Sequence, residues 1–227
     1  MKYKAHDYQA YATNFILEHP ISAVFLDMGL GKSIITLSAI FDLCLDSFLV
    51  RKVLVIAPLR VARDTWPAEI HKWDHLHGLT YSVAVGTEAE RKAALRQRVS
   101  VYIINRENVQ WLIDESGIPF DYDMVVIDEL SSFKSYQAKR FRTLLKVRPG
   151  IKRIVGLTGT PVPLPMGEVA LRSNDGEGMP LRKSWREAVT ERLSPHSGQH
   201  KHHQAVVSLL LCQVCGVLMV AFVSSAR

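Results

Sequence analysis

Two short stretches of this chain have residue types and spacing suited to chemistry on phosphates. The first is "LDMGLGKS", Leu26 to Ser33. Gly29 and Gly31 allow the backbone amides there, Leu30's among them, to converge on anionic oxygens without interference from a Cβ. A helix opening at Lys32 adds the positive end of its dipole. The Lys32 ammonium reaches outer phosphates, and the Ser33 hydroxyl is a candidate Mg²⁺ ligand. The strict pattern for such a loop asks for glycine where Leu26 stands, so a glycine turn before an ordinary helix stays open on this stretch alone. The second stretch is "MVVIDELSSF", whose apolar run delivers Asp128 and Glu129 to a strand end. One carboxylate there holds Mg²⁺, usually through water, and the other orients and deprotonates an attacking water. Two acids at a strand end are often just a solvated turn; a phosphate loop upstream weighs against that. Together the two stretches describe a nucleoside triphosphate site with Lys32, Asp128 and Glu129 as its catalytic groups and Ser33 and Asp128 on the metal.

The elements that must position these groups alternate. Strands are predicted over 23–28, 53–58, 80–85, 99–105, 123–128 and 153–159. Several lack polar alternation, as expected of strands covered on both faces. Between them, "KSIITLSAIFDLCL", "RVARDTWPAEIHKW", "TEAERKAALRQ" and "QAKRFRTLLKV" carry helical periodicity. Repeated strand–helix units predict an α/β fold with a doubly wound, mostly parallel sheet. Ligands of such sheets sit at the carboxyl ends of the strands.

The chain of 227 residues is 48% hydrophobic, enough for one substantial core. A net charge of +6 favours an anionic partner, nucleic acid being one. Three cysteines, Cys44, Cys212 and Cys215, give no disulfide framework, and the amino terminus has no apolar signal core; both point to a reducing, cytoplasmic setting.

Taken in order, these segments resemble the Swi/Snf-type DNA translocases, within the helicase superfamily that carries DEAD/DEAH-box signatures. "DMGLGKS" is similar to their phosphate loop, whose form does not demand glycine at position 26. "HDYQ" resembles their adenine-reading motif, with Gln9 as the reader. "VLVIAPLRVARDTWPAEIHKW" resembles the strand ending in Ala-Pro and the helix after it. "YIINREN" resembles the next strand-end motif, and "VVIDELSSFKS" stands at the acidic box, reading Asp-Glu-Leu-Ser rather than Asp-Glu-Ala-His. "GLTGTP" resembles the motif that couples nucleotide state to nucleic-acid grip.

The resemblance implies a RecA-like P-loop NTPase lobe over residues 1–163, with ATP and Mg²⁺ as cofactors. It also implies double-stranded DNA, gripped without sequence specificity, as partner. Gln9, Gly29, Leu30, Gly31, Lys32 and Ser33 would hold the nucleotide. Pro58, Arg60, Asn105, Thr158 and Thr160 would serve DNA contact or coupling. Each keeps a plainer alternative: Gln9 as a surface polar residue, Arg60 and Arg63 on a solvated helix, Thr158 and Thr160 capping a turn. Trp66 and Trp73, seven apart on one helical face, are expected in the core rather than stacked on bases.

After Pro163 the character changes. Residues 164–204 form a divergent polar linker, and Ala205 to Val223 runs without a formal charge. An irregular or helical tail is expected, with 205–223 as a membrane helix, a buried helix or a hydrophobic strand; its length meets the criterion for a span. Membrane attachment is not the favoured alternative. Cys212 and Cys215 with His200, His202 and His203 offer zinc-ligand types, but the run is too apolar for a zinc loop and buried cysteines are expected.

In the family a second lobe supplies arginines worth about 10³–10⁵ in rate. Residues 164–227 hold Arg172, Arg182, Arg186 and Arg192, none in a recognisable setting. The expectation is a truncated chain with an unrelated tail, such as a reading-frame shift produces, and weak or no motor activity. A catalytically inactive binding module and a non-functional remnant are the competing expectations.

Overall fold

The computed structural model describes residues 1–130 and 139–159, with the backbone of short strands further on. Six strands lie parallel: β1 (Ile21–Phe25), β2 (Val53–Ala57), β3 (Tyr81–Ala84), β4 (Val101–Asn105), β5 (Met124–Asp128) and β6 (Arg153–Thr158), in the order β3-β4-β2-β5-β6-β1. Helices α1 (Asp7–Glu18), α2 (Lys32–Phe41), α3 (Trp66–Lys72), α4 (Glu88–Leu95), α5 (Val109–Asp114) and α6 (Lys139–Val147) alternate with them.

Sequence explains the layering. Val53 to Ala57 are all fully buried, because a central strand of a parallel sheet has no solvent face. Val53, Val55 and Ala57 join one core with residues of α1, α2 and α3, and Leu54 and Ile56 join the other with residues of α4, α5 and α6. The alternation of two along each strand thus feeds two cores from one run.

Each predicted strand is present; five are trimmed by one or two residues, while β1 starts two residues earlier and ends three earlier than expected. The largest trim is at β1, where Asp27 and Met28 leave the sheet: Leu26 N–H still donates to Thr158 O at 3.2 Å, after which the chain turns into the glycine loop. Two predicted helices begin or end in a π-helical turn, Asp42–Asp46 after α2 and Val61–Thr65 before α3. Helix α5 has no counterpart among the predicted helices, since six residues are too few for periodicity to register. Arg153 ties α1 to the sheet: its Nη2 donates to Ile16 O and Leu17 O, both at 2.6 Å, satisfying carbonyls at the helix's carboxyl end.

Within 205–223 the described residues follow the hydrophobic-strand alternative rather than the helical one. Val206–Cys212 (β8) and Val217–Val223 (β9) pair antiparallel, β9 lies parallel to β1, and Val169–Ala170 (β7) pairs with β8. A run rich in valine and other strand formers pairs with β1 rather than coiling, since β-branched side chains fit a pleated surface. Among the described residues no helix is long and apolar enough to cross a membrane. Cys215, His200, His202 and His203 lie outside the described residues, as do Arg172, Arg182, Arg186 and Arg192.

Candidate nucleotide site

The loop after β1 has the backbone its glycines permit. Gly29 and Gly31 sit at φ +85° and +81°, a region that side chains with a Cβ resist. Gly31 is the residue before α2, and Ile35 N–H donates to Gly31 O at 3.0 Å to start the helix. A Cβ on Gly31 would lie 2.6 Å from Gln9 Nε2, whereas one on Gly29 would meet open space.

Gln9 is buried, not a surface residue. Its Nε2 donates to Leu30 O at 3.3 Å, and its Oε1 accepts from His6 N–H at 3.0 Å and from Tyr3 Oη at 3.3 Å. Tyr8 Oη donates to the same Leu30 carbonyl at 3.3 Å. The Gln9 amide therefore links the start of α1 to the crest of the glycine loop.

Lys32 turns back over the loop. Its Nζ donates to Leu26 O at 2.7 Å and Asp27 O at 3.1 Å. Burial lowers its pKa, against the opposing pull of Asp128, Glu129 and Asp27. Ser33 follows Lys32 in the first turn of α2, partly exposed.

The register explains the convergence. Phe25 on β1 stands beside Thr158 on β6, and Leu157 stands beside Asp128 on β5. The glycine loop and the acidic pair thus leave the same sheet edge about 10 Å apart, two strand spacings. Asp128, half-buried, continues the face of Met124 and Val126, which is covered by α3. There Trp66 Nε1–H donates to Asp128 Oδ2 at 2.9 Å. Burial raises the Asp128 carboxyl, opposed by that hydrogen bond and by Lys32 and reinforced by Glu129.

Glu129 sits at φ +65°, a left-handed conformation that costs a side-chain-bearing residue about 1–2 kcal/mol. Its Oε1 accepts from Thr158 Oγ1 at 3.2 Å. Next to it Leu130 packs on Gly156, where a Cβ would lie 3.0 Å from Leu130 Cδ2. Gly156 is the space that lets the acidic pair leave β5 over β6.

The remaining predicted residues are placed as follows. Pro58 and the exposed Arg60 follow β2, and Asn105 closes β4, buried, its Oδ1 accepting from Asn108 and its Nδ2 donating to Glu107. These ends share the sheet edge of the loop and the acids. Thr160 lies outside the described residues. Trp73 is partly buried, with Nε1–H on Glu69 Oε2 at 2.7 Å, and Trp66 is fully buried, as expected of core. The Trp66 contact with Asp128 is the site feature that reading the sequence missed. Its signal was present: a buried indole N–H needs an acceptor, and a strand-end acid on the covered face is one.

A cavity of about 650 Å³ lies elsewhere, at the amino ends of β2 and β4, lined by Arg51, Lys52, Arg96, Arg98, Tyr102 and Tyr122 among others. Lys52 is paired with Asp121 and Arg51 with Asp123. The glycine loop and the acidic pair are at the other end of the strands, so this hollow does not mark them.

The residues present fit Mg²⁺ and a triphosphate: a left-handed glycine loop, an ammonium over it, a hydroxyl in the first helical turn, and two carboxylates acting on that ammonium. A model of the SNF2-related domain matches residues 17–170. Protein p41 of Acyrthosiphon pisum secondary endosymbiont phage 1 is 37% identical over 162 residues, which cover 69% of this chain and 35% of that protein. The DNA excision repair protein ERCC-6-like of Mus musculus is 33% identical over 144 residues, 60% of this chain and 11% of the mouse protein. The solved SWI2/SNF2 ATPase core of Sulfolobus solfataricus, in complex with dsDNA, superposes with a TM-score of 0.61 at 23% identity. That match covers 71% of this chain and 33% of the archaeal one, and shows the same RecA-like lobe. The chain spans about a third or less of the length of these three relatives. With the domain model covering most of its length and the parallel sheet matching an ATPase core, this chain belongs to the SNF2-related, helicase-like family.

Proposed function

We propose that residues 1–163 form the ATP-binding lobe of a Swi/Snf-type motor acting on double-stranded DNA without sequence specificity, with 164–204 as a linker. The glycine loop, with Lys32 Nζ on Leu26 O, and the Asp128–Glu129 pair leave the same end of the sheet two strands apart, and that observation carries the proposal. The loop Gly29–Ser33 binds the phosphates, and Lys32 exchanges its two backbone carbonyls for phosphate oxygens. Gln9 trades its hold on Leu30 for the adenine edge. Ser33 and Asp128 would hold Mg²⁺, which when bound neutralises phosphate charge. Glu129 orients the attacking water and takes its proton. Thr158 and Thr160 relay the state of the site to DNA held by Pro58, Arg60 and Asn105.

Burial pushes the pKa of the Cys44 thiol up to about 11. A raised thiol is slow to oxidise.

The test is titration of the 227-residue protein with a fluorescent ATP analogue in Mg²⁺. Saturable binding is expected, and Lys32→Ala should weaken it by at least about 10-fold, the scale of one charge-assisted contact. DNA retained with no Mg-ATP binding at all would overturn the proposal in favour of an inactive binding module. Turnover by these 227 residues is expected to be slow and little stimulated by DNA. The family's motion needs two lobes and the arginines of the second.

A further inference from the structure

We infer that Trp66 is a positioning residue for Asp128: its indole N–H fixes the orientation in which that carboxylate would meet the metal. This presupposes the Mg-nucleotide site proposed above. Trp66 is fully buried, at the first position of α3. Its Nε1 lies 2.9 Å from Asp128 Oδ2. An indole is a donor with no acceptor and only two side-chain torsions, so a packed tryptophan aims one N–H in one direction. Ala62, Trp66 and Ile70 pack in the same core as Val126, two residues before Asp128 on the same strand face. The donor is therefore held by the packing that holds the carboxylate. With Oδ2 held by the indole, the carboxylate's rotation is restrained, and so is the direction it would present to a metal-bound water. Partners of this outer kind typically change metal affinity by about 10–100-fold.

Position along the chain gives the contact a second consequence. Trp66 follows directly on the segment from Pro58 through the π-helical turn Val61–Thr65, where Ala62 N–H donates to Pro58 O at 2.8 Å. A displacement of that strand-end segment is transmitted to Asp128 through one rigid ring.

The experiment compares wild type with Trp66→Phe, which keeps a ring and removes the N–H, using a fluorescent ATP analogue in EDTA and then across a Mg²⁺ titration. The expected result is metal-free affinity within about 2-fold of wild type and a Mg²⁺ midpoint raised about 10-fold or more. An unchanged midpoint in a folded variant overturns the role of Trp66 while leaving the nucleotide site standing. Absence of analogue binding in wild type, with or without Mg²⁺, overturns the site itself and the inference with it. Should Trp66→Phe not fold, wild-type protein labelled at the indole nitrogens decides the matter. The Trp66 N–H resonance should shift on adding Mg²⁺ to the nucleotide complex while those of Trp73 and Trp111 stay put. A Trp66 resonance indifferent to the metal refutes the role.

Discussion

Thr158 Oγ1 donates a hydrogen bond to Glu129 Oε1 at 3.2 Å, across the gap between the end of β6 and the first residue beyond β5. Thr158 is buried, and Glu129 holds a left-handed backbone to meet it. The two acids are thus restrained from different sides, Asp128 by an indole from α3 and Glu129 by a hydroxyl from β6.

Replacing Thr158 by valine keeps the shape and removes the donor. Glu129 then loses the group that fixes its direction toward an attacking water. Hydrolysis should fall about 10-fold or more, the range for a positioned general base, while affinity for the ATP analogue stays within about 2-fold. Single-turnover hydrolysis and analogue titration on the same preparations separate these effects. Equal losses in both would place Thr158 in binding instead.

The two loop glycines should differ. Both have positive φ, so alanine at Gly29 costs about 1 kcal/mol from backbone strain. Alanine at Gly31 adds a collision with Gln9 Nε2, which pushes that amide off the Leu30 carbonyl, and should cost about 2–3 kcal/mol. Urea denaturation of the two variants measures the difference. Equal costs would mean that Gln9 yields freely.

Asp123 contributes to the acid limb of stability. Burial alone would raise its pKa, but hydrogen bonds from Lys152 and from the Arg51 backbone N–H overcome burial and hold it below the usual carboxylate range. A carboxyl with a lower pKa folded than unfolded stabilises the protein above the unfolded value. That stability is lost as pH falls through the folded one. Asp123→Asn should therefore destabilise by about 1–2 kcal/mol at neutral pH, the scale of hydrogen bonds to a charged group discounted for the exposed Lys152. It should also flatten the drop below about pH 4. Melting temperatures of both proteins from about pH 7 to about pH 3 give the comparison, and parallel curves would count against the assignment.

DNA affinity should fall steeply with salt, because sequence-independent grip comes from phosphate contacts. Arg60 is exposed at the carboxyl end of β2. Arg60→Ala should lower the salt slope by about 1 and weaken binding evenly across duplex sequences. Anisotropy titrations at several salt concentrations measure it; an unchanged slope removes Arg60 from the interface.

Much of this molecule was legible in its residues because the signals are local. Six apolar runs gave six strands, since a run buried on both faces has few alternatives to a parallel sheet. The left-handed glycine turn before α2 and the strand-end place of the acidic pair were legible because each follows from consecutive residue types. Less local features were not. A buried indole in "ARDTWPAE" signals that an acceptor is needed, but which acid it meets depends on how α3 packs across β5.

The amino-acid sequence by itself determined the alternation of strand and helix, the glycine loop and the order of the motifs, all consequences of neighbours in the chain. Only the tertiary structure decided that Gln9 is buried against Leu30, that Glu129 bends back to Thr158, and that Val217–Val223 pairs beside β1 with Val206–Cys212 alongside it. Each of these joins residues distant in sequence. The strand register and the packing of helices on the sheet, unlike the periodicity of any one segment, set which distant groups meet.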